Sequence, residues 1–317
     1  MTYSSGSLIQ ATDYNGFATS VNGVWNTLYG QTSIGAVSTG ATVSATQWAT
    51  LFTSITQTAA HQGTSITALT NPSAGNLISY VAALSGDITA ITTVANEYNA
   101  VSSGAQFTGW TGTASKTSAT GSGGASWTIT FTNTITFPSA AAASFFFNAG
   151  GTVKLQLSKT STGTVADTEW NNFVNNVCGT IILSSTGASK TINGQTLTGT
   201  TLVGGTGTPT ILATGTGFAQ LTTTPTAIYK QFDSGAAYSS NFLQVNASIA
   251  GAALVLTTIW FDGGDNNPGS TAQISGGSAT SGISFGTAPT SIVTYFPPET
   301  TNLTNVWGTP TVVASVA

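Results

Sequence analysis

Fourteen charged side chains in 317 residues constrain this chain more than any other feature. Five are lysines, nine are carboxylates and none is arginine. Charged residues make up 4% of the chain, against about 25% in a typical globular domain. Nucleic-acid binding needs clustered Lys or Arg to displace counterions, and this sequence cannot build such a cluster. Metal and acid–base sites draw on His, Cys, Asp and Glu, and here there is one His and one Cys. Disorder of the usual kind goes with low hydrophobicity and high net charge. This chain is 40% apolar, with seven Trp, eight Tyr and fifteen Phe, and its net charge is only −4. It can therefore bury a core. Its solubility must come from hydroxyls and amides, and such a surface meets little like-charge repulsion when copies approach one another.

The remaining bounds are brief. Cys178 is the only cysteine and cannot form an intrachain disulfide. No run of about 18 apolar residues exists, so no membrane-spanning segment is expected. Met1-Thr2-Tyr3-Ser4-Ser5 has neither a basic nor an apolar leader. A secretory signal is not expected, and assembly inside a cell is.

The first third reads as helical. No lysine precedes Lys116, and only Asp13, Asp87, Glu97 and His61 are acidic or basic before residue 105. Tyr14, Phe17, Val21, Trp25 and Leu28 at 3–4 spacing predict a helix over 13–29, stopped by Gly30. Ser44 with Gln47 is a capping-box signature for a second helix over 46–62, with Trp48, Leu51, Ile55 and Ala59 inward. A third, over 76–99, carries Leu77, Val81, Leu84, Ile88, Ile91, Ala95 and Tyr98 in a 4-3 alternation. That is a heptad seam. It suits either an antiparallel bundle within the chain or an intersubunit coiled coil.

After residue 105 the texture changes. Residues 111–125 are mostly Gly, Ser and Thr and read as a linker. Alternating apolar residues predict a strand over 127–137, with Pro138 in the first turn of a helix over 140–148. A strand through Val153, Leu155 and Leu157 follows, then a helix over 167–177 and a strand over 180–183. Asn193-Gly194 signals a hairpin. No register can be set over 196–217. Strands are predicted over 228–232, 243–249 and 254–261, and one or two more around 283–295. The fold class is thus α+β: an N-terminal helical bundle or coiled-coil-like region, then a mainly antiparallel β-rich domain with two short helices. Residues 1–105 would serve oligomerisation or attachment and residues 106–317 would form the β-rich domain, with a further boundary near 196–217.

Few residues offer chemistry. His61 falls in the last turn of helix two, where it meets the helix dipole, a structural role. Cys178 reads as a small buried apolar residue. Asp167 and Glu169 could form a carboxylate pair, but acidic residues at a helix start are accounted for by the dipole. The most site-like stretch is Asp262-Gly263-Gly264-Asp265-Asn266-Asn267-Pro268. Its Asp262, Asp265 and Asn266 oxygens could hold calcium, and a hairpin turn has the same composition. No catalytic residue and no other cofactor is expected.

Several segments resemble a family of virion structural proteins from contractile-tailed cyanophages and related marine phages. They are Ile9-Gln10-Ala11-Thr12-Asp13-Tyr14-Asn15, Ala45-Thr46-Gln47-Trp48, His61-Gln62-Gly63-Thr64 and, most specifically, Ile135-Thr136-Phe137-Pro138-Ser139 with Phe145-Phe146-Phe147-Asn148-Ala149-Gly150-Gly151. Leu221-Thr222-Thr223, Tyr229-Lys230-Gln231-Phe232 and Trp307-Gly308-Thr309-Pro310 add to it. The resemblance implies a non-enzymatic component of the tail, baseplate, neck or fibres, assembled in the host cytoplasm. Its partners would be copies of itself and other virion proteins. A cell-surface glycan is the alternative partner, read by an adhesin module with exposed aromatic residues.

Overall fold

The structure is a computed structural model that describes residues 10–73, 81–93, 111–115, 118–119, 127–160, 165–192, 194–235, 239–263, 283–284 and 289–317. It is a mixed α/β protein in which all the strand pairings described are antiparallel. No helix among the described residues is long and apolar enough to cross a membrane.

Three helices open the chain: α1 (Ala11–Trp25), α2 (Ala45–Gln62) and α3 (Val81–Thr93). At the start of α2, Gln47 N–H donates to Ser44 Oγ (3.3 Å) and Ser44 N–H to Gln47 Oε1 (2.8 Å). This is the expected capping box. Gly63 ends α2 in the left-handed region at φ 67°. α1 stops at Trp25, earlier than its apolar periodicity predicts, and the chain reaches Gly30 through a wide turn in which both Leu28 and Tyr29 N–H donate to Val24 O. Gly30, at φ 70°, lies so close under the Phe145 ring that a Cβ would sit 2.5 Å from it. Only glycine suits that position.

With few charges available, carboxamides tie the loops down. Asn15 exchanges two hydrogen bonds with the Val37 peptide (2.7 and 2.8 Å), and Asn22 does the same with Ile34 (2.9 and 3.0 Å). Gln31 pairs in this way with Thr304, 273 residues away (2.9 and 3.0 Å), and Asn175 with Lys159 (2.6 and 3.2 Å). Each amide imitates one rung of a β-ladder and satisfies a peptide that would otherwise lack a partner.

The strands in chain order are β1 (Thr111–Ser115), β2 (Ser118–Ala119), β3 (Trp127–Thr136), β4 (Thr152–Ser158), β5 (Thr180–Leu183), β6 (Lys190–Ile192), β7 (Gln195–Leu197), β8 (Thr200–Val203), β9 (Ile211–Leu212), β10 (Thr226–Phe232), β11 (Phe242–Ala250), β12 (Ala253–Asp262), β13 (Ile283–Ser284), β14 (Thr290–Phe296) and β15 (Thr311–Val316). One sheet runs β15-β3-β12-β11-β10-β9 and a second β1-β14-β4-β5-β8. Their buried faces meet where Asn133 of β3 donates to Ser291 Oγ of β14 (2.9 Å). β6 and β7 form the hairpin signalled by Asn193-Gly194, with Gly194 at φ 72°.

Two helices lie within the β-rich part. α4 (Ala140–Asn148) is capped by Ser139, whose Oγ accepts from Ala142 N–H (3.0 Å), so Pro138 precedes the cap and is not in the first turn. Its Phe146 packs on Phe137 (5.1 Å between ring centroids) and Tyr295 (6.4 Å), and Phe147 stacks on Phe218 (4.3 Å). α5 (Val165–Asn172) begins two residues before the expected start and passes into a π-helical turn, Phe173–Val177.

Two expectations are corrected. Residues 111–115 are not linker: they form edge strand β1, paired with β14 from Thr111↔Thr294 to Ser115↔Thr290. Threonine suits an extended backbone, and a partner strand supplies hydrogen bonds without an apolar alternation. β15 has no counterpart in the sequence reading. It joins β3 from Thr311↔Thr136 to Val316↔Phe131. The stretch 196–217 yields β7, β8 and β9, threaded by close backbone contacts. A Cβ at Gly199 would lie 2.3 Å from the Thr216 carbonyl carbon, so the glycines there permit main chain to touch main chain.

Candidate functional site

A row of buried polar side chains lies at one end of the six-stranded sheet. Phe232, Phe242 and Phe261 are register partners across β10, β11 and β12, facing outward. One residue further along each strand, the pleat turns Asp233, Asn241 and Asp262 inward, and all three are buried. Helix α5 covers them. Trp170 Nε1–H donates to Asp262 Oδ2 (3.3 Å), and Asn241 Nδ2–H reaches the same oxygen (3.5 Å). Asn241 Oδ1 accepts from Gly263 N–H (2.9 Å), and Asp233 Oδ1 from Gly235 N–H (3.0 Å). Below this row the Trp170 and Trp260 rings stack at 5.7 Å and 17°.

Asp233 is the unusual member. Burial, and then the neighbouring Glu169 carboxyl to which it hydrogen-bonds, push its pKa up to about 6. Two adjacent carboxyls repel when both are ionised, and this favours the protonated form of Asp233. Glu169 therefore has a specific partner, where its place near a helix start had suggested only a dipole role. A raised acid stabilises the fold below its ordinary value of 3.8 and loses that contribution as pH rises through about 6. Glu169→Gln should remove the part of this loss that comes from the neighbouring carboxyl, leaving the part due to burial. Urea unfolding at pH 4 and pH 8 should show the variant gaining about 1–2 kcal/mol over the native chain at the higher pH only. An equal gain at both values would exclude repulsion as the cause.

Of the residues proposed for calcium, Asp262 is thus engaged with Trp170 and Asn241, while Asp265 and Asn266 lie outside the described residues. Among the described residues no group of three or more His, Cys, Asp or Glu comes together to hold a metal. Asp233 was missed in the sequence. Its signal was parity: it continues the inward alternation of Tyr229 and Gln231 one step past the end of β10.

The second polar cluster joins the helices to the C-terminal segment. His61, in the last turn of α2, has no exposed surface, and its Nδ1 lies 3.1 Å from Glu299 Oε1. Burial alone would raise the Glu299 carboxyl. The His61 hydrogen bond, the Thr301 N–H and hydroxyl, and the His61 charge outweigh it and hold the pKa down at about 2. Tyr29 stands edge-on to His61 at 5.1 Å, and Gln62 Nε2–H donates to the Tyr29 hydroxyl (3.0 Å) and to Ile91 O (2.9 Å). Burial pushes the Tyr29 phenol up.

Of the heptad seam, Leu84, Ile88 and Ile91 are buried in the chain's own core, against α1 and α2, and present almost no surface to another copy. Val81 opens α3, and Leu77, Ala95 and Tyr98 lie outside the described residues. Cys178 is buried, and its thiol is pushed up by burial. Lys190 is buried beside Ser185 Oγ, to which its ammonium donates, and burial lowers its pKa to about 8.

Comparison of the chain with protein-family models, with curated proteins and with solved structures gives no match.

Proposed function

We propose that this chain is a non-enzymatic structural protein of a tailed-phage virion, built to pack permanently against copies of itself and other virion proteins. The observation that carries the reading is the outward face of the six-stranded sheet. Thr128, Thr130, Thr132, Thr134 and Thr136 of β3 run along it between the outward residues of β12 and β15. No charge interrupts the outward side of these three strands, and Val313 at the β15 edge is 66% exposed. A hydroxyl- and methyl-covered surface of this kind is easily desolvated by a like surface, with no ion pairs to break. In this reading the helical first third is the attachment region, and the resemblance noted above supplies the virion setting.

Two measurements test it. Mass spectrometry of purified virions should find the chain at fixed stoichiometry. Light scattering of the isolated chain should show an oligomer that Val313→Lys shifts toward protomer. A chain that is monomeric at all concentrations and absent from particles would overturn the proposal.

One observation favours the adhesin alternative. Phe232, Phe242 and Phe261 form a half-buried outward row (4.7 and 5.4 Å between ring centroids), with Lys230 Nζ 3.8 Å from the Phe242 centroid. Rings of this kind can stack on sugars. Tryptophan contributes nothing to it at Trp25, Trp48, Trp170, Trp260 and Trp307, which are all buried.

A further inference from the structure

A cleft of about 280 Å³ opens on the opposite side of the molecule's core, against the outward face of the five-stranded sheet. Lys154 of β4, Thr180 and Ile182 of β5 and Phe296 of β14 line one wall. The β6–β7 hairpin supplies Ile192, Gln195 and Leu197 from the other. Register sets Lys154 between Ile182 of β5 and Thr294 of β14, and among the described residues it is the one cation lining the cleft, with polar Thr180 and Gln195 and apolar Ile182, Ile192, Leu197 and Phe296 around it.

Lys154 differs from the other described lysines. Lys159 Nζ donates to Thr160 O (3.2 Å), Lys190 to Ser185, and Lys230 lies over two phenyl rings. Lys154 is half-buried, and its side chain makes no hydrogen bond, ion pair or ring contact among the described residues. An ammonium in a cleft with no partner among the described residues can gain a charge-assisted hydrogen bond from an anion seated beside it.

The geometry points to a binding site for a small monocarboxylate with an apolar body. The volume equals roughly nine waters at ~30 Å³ each, which suits an occupant of about ten non-hydrogen atoms. Its carboxylate would meet Lys154, with Gln195 and Thr180 as further donors, and its hydrocarbon would lie on Ile182, Ile192, Leu197 and Phe296. One lysine with no helix N-terminus and no arginine fork is a poor receptor for a phosphate dianion. The apolar part of the lining, Ile182, Ile192, Leu197 and Phe296, would leave sugar hydroxyls facing it unpaired. The site is independent of where the protein assembles.

Calorimetric titration of the full chain with octanoate tests this, with octan-1-ol, acetate and glucuronate as comparison ligands. Octanoate should bind with a submillimolar Kd, and methyl NMR shifts should localise it to Ile182 and Ile192. K154M should weaken it at least tenfold, since a charge-assisted hydrogen bond is lost. I182W should abolish it by filling the cleft, with circular dichroism confirming that each variant is folded and K154Q standing in for a variant that is not. The proposal is overturned if octanoate gives no binding at several millimolar, or if K154M binds as well as the native chain. It is equally overturned if octan-1-ol matches octanoate, or if glucuronate binds more tightly.

Discussion

Trp260→Ala is expected to lower the stability of the fold by ~3–5 kcal/mol, with a fall in Tm of roughly 10 °C. Trp260 has no exposed surface and is the largest of the fully buried side chains. It stacks on Trp170 from α5 and packs on Phe131 of β3 at 5.8 Å. Truncation would open a cavity where the six-stranded sheet meets α5, and Trp170 would lose its stacking partner. Because Trp170 also donates to Asp262, the carboxylate row should loosen with it. Trp260→Phe separates shape from polarity. The Trp260 indole N–H has no hydrogen-bond partner among the described residues, so phenylalanine loses some contact area but also removes an unsatisfied buried donor, which itself costs ~1–3 kcal/mol. Thermal melts of the two variants should therefore differ by several degrees. Equal losses would mean that the indole N–H matters and that the packing account is wrong.

His61→Ala should cost about 3 kcal/mol near neutral pH, because it leaves the Glu299 carboxylate buried with only its Thr301 and Asn302 donors. The pH dependence is the more telling readout. The Glu299 pKa falls from an ordinary 4.5 to about 2 on folding. Its contribution is complete above about 4.5 and is lost as pH falls toward 2. Asp233 acts in the opposite sense, losing its contribution as pH rises toward about 6. With only nine carboxylates in the chain, these two should dominate, and stability should peak near pH 4–5. Urea midpoints measured from pH 2.5 to 8 should show that peak. In His61→Ala the acid limb should flatten. A variant that keeps the full acid limb would show that His61 does not hold the Glu299 pKa down.

Both effects belong to contacts between residues far apart in the sequence. Trp170 and Trp260 are 90 positions apart, and His61 and Glu299 are 238. The helix periodicity, the Ser44–Gln47 cap, the Asn193-Gly194 hairpin and the central strands were all legible in the sequence. Each is a local pattern whose period or turn chemistry needs no knowledge of a partner. The burial of Cys178 and of the Leu84, Ile88 and Ile91 stripe was legible for the same reason.

The edge strands were not. β1 and β15 have weak alternation, and they are strands because β14 and β3 offer them a ladder. Nor was the site. Glu169 looked like a helix-start residue, and Asp233 was not singled out, until α5 lay across the end of β10. What the sequence alone determined was composition and local pattern: few charges, enough apolar residues to bury a core, and the periods of its helices and central strands. What only the tertiary structure decided was where its few charges meet. Charge scarcity is a property of composition and is visible in one dimension. A buried pair depends on which strand ends and helix turns share a volume, and the free energy of that sharing is absent from any local stretch of chain.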